Sequence, residues 1–246
     1  MRSLVLCLLV VVANAAAAAD RHYAVLSLIG DKLLVVQYYQ NEGFRSDSSL
    51  QASLSLDDNS LDKTALQAVD QTLRQVEPND KPVLLVAKDT SLYEKQAELL
   101  RTGQTSKELL PAIGPLLRGS GATHLILLTK LRSEARVQSV KDIALGSGML
   151  EGLGFYVDTG RALPNAPAGA AVNAVLGPFA YFRLELIDLQ RNEIVREEKV
   201  IASRAYNAEG GNAWGLLSSG EKITTLQDIV RRETIKAVPS LVRLAR

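Results

Sequence analysis

Apolar positions along this chain of 246 residues change their spacing repeatedly, and each change marks an element. In "HYAVLSLIGDKLLVVQYYQ" two apolar runs, residues 25–29 and 33–39, flank Gly30-Asp31. A Gly-Asp pair between such runs predicts a β-hairpin. The next stretch, "NEGFRSDSSLQASLSLDDNS", is polar and serine-rich with weak alternation at Leu50, Ala52, Leu54 and Leu56. It reads as a loop with at most a short edge strand. Leu61, Ala65, Leu66, Val69, Leu73 and Val76 then recur at helical spacing, with Asn59 or Ser60 as the cap. "VLLVA" at 83–87 is apolar throughout, which predicts a buried central strand. Ser91 with Glu94, and Thr105 with Glu108, have the spacing of capping boxes that open helices. The second helix contains Pro111, Gly114 and Pro115 and should be short or kinked.

Residues 124–131 predict a buried strand, with 135–140 as its hairpin partner. "GSGMLEGLGFYVDTG", from Gly146 to Gly160, has five glycines in fifteen residues and opens a Gly/Ala/Pro-rich stretch over about 142–178, read as an insertion. In "FAYFRLELIDLQRNEIVREEKVIASRAY" Tyr181, Arg183 and Glu185 alternate with Phe182, Leu184 and Leu186. With the polar turn at 190–192, this predicts a second hairpin with one wet face, toward one side of a sheet. The last helix is predicted over about 225–244, opened by Thr225 with Asp228 and kinked by Pro239. Strands alternating with amphipathic helices, then a β-rich second half, define an α/β fold. The expected form is a single layered domain with a mixed β-sheet, helices packed on it and the glycine-rich insertion.

Composition adds a destination. "MRSLVLCLLVVVANAAAAAD" has the charged start, apolar core and small-residue end of a secretory signal peptide. Residues 1–19 are therefore expected to be removed, leaving 20–246 as one domain of a periplasmic or secreted protein. Cys7 is the sole cysteine and lies inside that core, preceded by Leu6, so lipid anchoring and disulfides are not expected. No later stretch is long and apolar enough for a membrane helix. Without the leader, basic and acidic residues balance, which argues against nucleic acid as a partner.

The residues that carry chemistry are few. Gly148, Gly152 and Gly154 have the spacing of a short-chain dehydrogenase cofactor loop. Yet they follow several elements rather than a first strand, lead into a non-helical stretch, and lack a Tyr-x-x-x-Lys partner. No cofactor is therefore expected. His22 and His124 are the only histidines; His124, at a strand start, reads as a structural residue, and no Gly-x-Ser-x-Gly occurs. Asp57-Asp58 reads as helix capping, and Glu197-Glu198 as neighbours on opposite sides of a strand. No catalytic or metal residue is assigned, and the expectation is a non-enzyme. Arg232, Lys236 and Arg243 stripe the last helix opposite Val230, Ala237, Leu241 and Leu244, as a helix docked on its own sheet would.

Three pieces of the chain carry a family likeness: "YAVLSLIG", "GATHLILLTKLR" after a helix, and "YFRLELIDLQRNEIVREEKV" with Asp188 before its turn. Their order resembles periplasmic α/β accessory domains. These are the periplasmic domain of curli-secretion channel proteins, the lipoprotein activators of penicillin-binding proteins, and the N-terminal domain of the Tol β-propeller protein. The turn "QRNE" departs from the Thr-Gly pair usual there, and a lipidated cysteine is lacking. The resemblance implies a non-catalytic module that binds envelope proteins. Leu150, Leu153, Phe155 and Tyr156, on the glycine-rich segment, are the expected partner or ligand contacts, with packing onto the core as the competing role. A small-molecule or lipid-binding protein, and a hydrolase built on two separated carboxylates, are the alternatives.

Overall fold

In a computed structural model, described at residues 21–39, 48–56, 58–87, 90–138, 144–145, 148–161, 173–209 and 212–243, a mixed sheet is built around one long strand. The leader with Cys7, Asp57, residues 146–147 and 162–172, and Leu244 lie outside the described residues. The elements in chain order are β1 (Tyr23–Ser27), β2 (Lys32–Tyr39), β3 (Ser48–Ser55), α1 (Ser60–Val76), β4 (Val83–Leu85), α2 (Ser91–Thr102), a 3-10 turn (Ser106–Leu109) and α3 (Leu110–Leu117). They continue with β5 (His124–Lys130), β6 (Arg132–Glu134), β7 (Val137–Gln138), β8 (Ala144–Leu145), β9 (Met149–Arg161) and β10 (Asn173–Asp188). β11 (Glu193–Ser203), β12 (Tyr206–Glu209), a 3-10 turn (Trp214–Leu216) and α4 (Ser219–Val242) complete the chain.

The first half of β10 pairs with β9 on one edge and β12 on the other; its second half pairs with β5 and β11. Outward from there, β1 and β4 lie parallel to β5, while β2 lies parallel to β9 and carries β3 antiparallel at the rim. The α/β single-domain fold is thus as the patterning indicates. Leu61, Leu66, Val69 and Leu73 of α1 and Leu226, Ile229, Val230 and Leu241 of α4 are buried against Val25, Leu128, Phe155 and Leu184 of the sheet. Leu92 and Leu99 of α2 and Ile113 of α3 join a second core with Leu26, Leu125 and Leu127. Because both faces of β1, β5 and β10 are covered, those strands carry buried apolar residues on both sides.

Several local expectations change. β1 and β2 do not pair with each other but run in the same direction along the sheet. The Ile29 and Gly30 N–H groups donate to Asp62 instead of closing a hairpin turn. "VLLVA" supplies a three-residue edge strand, with Val83 and Leu84 exposed, not a central one. The expected insertion contains β9 and the first part of β10, the two longest strands among the described residues. Residues 137–138, within the expected hairpin partner of β5 at 135–140, pair with β8 instead, and 139–140 lie outside the described residues. α4 starts earlier than expected: Ser218 and Glu221 form its capping box, which satisfies otherwise orphaned N–H groups. The β10–β11 hairpin and its turn form as predicted, with Asp188 accepting from the N–H groups of Gln190 and Arg191. However, β10 is internal to the sheet and buried rather than at its side with a wet face.

Candidate functional site

Three parallel strands, β1, β4 and β5, end at the same side of the sheet, where open α/β sheets hold their ligands. A polar centre forms there. Asp62, in the first turn of α1, is buried and accepts four hydrogen bonds: Ser27 Oγ at 2.5 Å, Ile29 N–H at 2.9 Å, Gly30 N–H at 3.2 Å and Tyr93 Oη at 2.8 Å. A Cβ on Gly30 would stand 2.7 Å from the Asp62 Oδ2, so only glycine lets the carboxylate sit this close. Burial nevertheless pushes the Asp62 pKa above the ordinary carboxylate value, outweighing the four donors. Burial also raises that of Tyr93, and the adjoining Asp62 raises it further.

Lys130, at the end of β5, is paired with Asp31, at the start of β2. Burial pulls the lysine pKa down and Asp31 pulls part of it back. Gln96 of α2 braces the same corner, donating to the Leu28 carbonyl at 2.8 Å and accepting from the Lys130 N–H at 2.8 Å. Two open clefts flank this pair. One, of about 490 Å³, is lined by Asp31, Lys32, Asn59, Thr90, Tyr93 and Glu94 among others. The other, of about 240 Å³, is lined by Lys32, Gln51, Ser53, Lys130, Arg132 and Glu151 among others.

A second polar group lies on the α2–α3 side. Glu185 of β10 faces Glu197 of β11 in register, while Glu198 faces Leu184. The two adjacent glutamates therefore do point to opposite faces. Glu185 is 1% exposed and its Oε2 has no hydrogen-bond partner. Burial pushes its pKa up and Glu197 adds to the rise, against the pull of Ser106 and Arg183. Two acids from different strands thus face each other in register, with Glu185 buried rather than open to a substrate. Alternation could place them on one face but could not reveal that the 3-10 turn bearing Ser106 packs against them.

The expected contact residues are placed inside the protein. Leu153 and Phe155 belong to the main core, and Leu150 and Tyr156 to a third cluster with Val36 and Tyr181. Leu153, Phe155 and Tyr156 are buried because β9 runs between β2 and β10, and Leu150 lies where β9 pairs with β6. Of the glycines of the dehydrogenase-like spacing, Gly152 and Gly154 serve packing, whereas Gly148, at φ +86°, has open space where a side chain would go. A Cβ on Gly154 would meet the Leu34 carbonyl oxygen at 1.9 Å, and Gly152, at φ +67°, lies under the Lys130 stem. His124 accepts or donates at Thr123 Oγ1 (2.9 Å), and burial lowers its pKa. His22 contacts Asp80 at 3.3 Å. Both histidines sit at the opposite strand ends from the Asp31–Lys130 pair. Among the described residues, no group of three or more His, Cys, Asp or Glu could hold a metal ion. No described helix is long and apolar enough to cross a membrane.

Residues 48–55, read as a loop with at most a short edge strand, form an edge strand of eight residues whose face is open. Leu50 is 65% exposed and Leu54 45%. Fold and site together define an α/β domain with an internally bonded polar centre, two open clefts and an apolar sheet rim. No family model and no curated protein matches the chain. Among solved structures it is similar to a hemagglutinin homolog from Helicobacter pylori, at 8% identity over 91% of this chain and 87% of that one, with a TM-score of 0.36. It is also similar to a PelC dodecamer subunit from Paraburkholderia phytofirmans, at 13% identity over 89% of each chain, with a TM-score of 0.25. At these scores neither similarity extends to function.

Proposed function

We propose that the protein is a non-catalytic, exported interaction module of a bacterial cell envelope, which binds protein through the β3 rim. The leader-like N-terminal sequence supports export. The observation that carries the reading is the exposure of Leu50 and Leu54 on a strand that, among the described residues, is paired on one side only. An unpaired strand edge with apolar side chains is a template for another strand. The polar centre supports the non-catalytic part: Asp62 already accepts four donors and Lys130 is already paired, so each stabilises the fold rather than waiting for substrate. Recovery of partners from envelope extracts, with wild-type protein and with Leu50→Ser/Leu54→Ser as bait, tests this. Specific recovery lost in the variant is expected, and identical recovery would overturn it.

One observation favours a second reading, a small polar ligand. The cleft beside Tyr93 and Glu94 has a volume within the range of ligand sites and lies at the strand carboxyl ends. Thermal-shift screening with sugars, amino acids and nucleotides is its test. A stabilisation abolished by Asn59→Ala supports it; no shift with any class refutes it.

A further inference from the structure

Among the described residues the sheet has rims at β3, β4, β11 and β12, and of these only β3 is both long and undefended, β12 having four residues. β4 is three residues long, which limits pairing. β11 carries Glu193, Arg196, Glu197, Glu198 and Lys199, the kind of charge that natural sheets place on edges to prevent pairing. β3, "SSLQASLS", has eight residues with no charge and no proline, and pairs only with β2 among the described residues. Its register to β2 places Leu54 beside Leu33, Ala52 beside Val35 and Leu50 beside Gln37. Leu50, Ala52 and Leu54 therefore share the face on which Leu33 enters the main core. On that face Trp214 meets Phe155 edge-on at 5.5 Å, and Phe155 is the register partner of Val35. An apolar shelf thus runs from Trp214 across β2 to the rim.

The strand is also complementary to itself. Laid antiparallel to a second β3 about a two-fold axis at Ala52, Leu50 stands opposite the copy's Leu54, Gln51 opposite Ser53, and Ala52 opposite Ala52. All four leucines fall on one face, and no like charges meet, because the strand has none. A C2 interface needs this property, one surface that fits itself. We propose that β3 is a homodimerisation edge, whose partner is a second copy of this chain paired antiparallel about Ala52. The proposal rests on the interaction reading above and names its partner. The edge is small beside the ~800 Å² per partner of a standard interface, so the dimer exchanges with monomer in a concentration-dependent way.

Sedimentation velocity over a wide concentration range tests it through two charge variants that lose the same leucines. In Leu50→Lys/Leu54→Lys the introduced lysines oppose each other across the axis. In Leu50→Lys/Leu54→Glu each lysine meets a glutamate. The lysine–glutamate variant should dimerise at least about tenfold more tightly than the double-lysine one. Cysteine placement is the second measurement, in a Cys7→Ser background. Antiparallel partners lie within disulfide reach, so Ala52→Cys should cross-link rapidly and Leu84→Cys, on the short rim, should not. A wild type that stays monomeric, charge variants that behave alike, or equal cross-linking at both positions would each overturn the proposal. A monomer whose partner recovery still requires Leu50 and Leu54 refutes self-pairing and leaves the interaction reading standing. A monomer whose recovery ignores them refutes both.

Discussion

Replacing Glu185 by Gln should stabilise the protein at neutral and alkaline pH, although it removes a buried acid. The carboxylate is 1% exposed, its Oε2 lacks a hydrogen-bond partner, and Arg183 Nη1 approaches Oε1 only to 3.9 Å. Glu197 faces it across the hairpin, which adds repulsion. Because burial holds the folded pKa above the ordinary value of 4.5, the folded state binds the proton more tightly than the unfolded chain. The stability linked to this group is therefore whole below pH 4.5 and is lost as pH rises through the folded pKa. A buried polar group without its partner costs ~1–3 kcal/mol. The long contact with Arg183 returns less than ~1 kcal/mol. Glutamine removes the charge and with it the repulsion from Glu197. A net gain of ~1–2 kcal/mol corresponds to a rise in Tm of about 3–6 °C for a domain of this size. Thermal unfolding followed by circular dichroism from pH 4 to 9 measures it. Equal stability at acid pH and a gap that opens toward alkaline pH are expected. A Glu185→Gln protein less stable than wild type at pH 8, or a gap independent of pH, would refute the reasoning.

Gly154→Ala should leave little soluble protein. Its Cβ would fall 1.9 Å from the Leu34 carbonyl oxygen, backbone that cannot turn aside, and a cost above ~4 kcal/mol follows; soluble yield and urea midpoint are the readouts. Asp62→Asn keeps one accepting oxygen in place of two. It forfeits either the Ser27 and Ile29 donors or the Gly30 and Tyr93 donors, for roughly 3 kcal/mol in urea unfolding. Ser218→Ala removes the capping box of α4, costs about 1 kcal/mol, and should speed amide exchange in the first turn of that helix ahead of its middle.

Where one segment's own chemistry decides its structure, the sequence is easy to read. The β10–β11 hairpin follows from alternation and from Asp188, whose carboxylate accepts from two N–H groups of the turn. α1 follows from its apolar spacing, and β5 from its unbroken apolar run. Where distant residues decide, it is not. Gly30-Asp31 has hairpin chemistry, but Asp62, some thirty residues on, takes the N–H groups that a tight turn would use. "VLLVA" has the composition of a central strand, yet no further strand pairs beyond it among the described residues. Glu185 sits in an alternation that implies a wet face, and the turn at Ser106 packs over that face. Asp62 and Lys130 belong to no local pattern, so neither could be marked as part of a site.

The displacement of the candidate surface from residues 146–160 to residues 48–55 has a single physical origin. Glycine and serine both weaken a strand signal, because neither brings a β-branched or aromatic side chain, so β9 and β3 look alike as loops. Their reasons for carrying small residues are opposite. In β9 the neighbouring backbone comes so close that a side chain at Gly154 would collide with Leu34, and the apolar residues between the glycines are consumed by the core. In β3 nothing among the described residues covers the strand, and serine alternates with leucine in open solvent. Small residues imposed by crowding leave a partner nothing to bind. Small residues on an uncovered rim keep the backbone edge accessible, while Leu50 and Leu54 supply the apolar contact. The serine-rich strand is therefore the better candidate for the proposed protein contact, and the glycine-rich one holds the sheet behind it together.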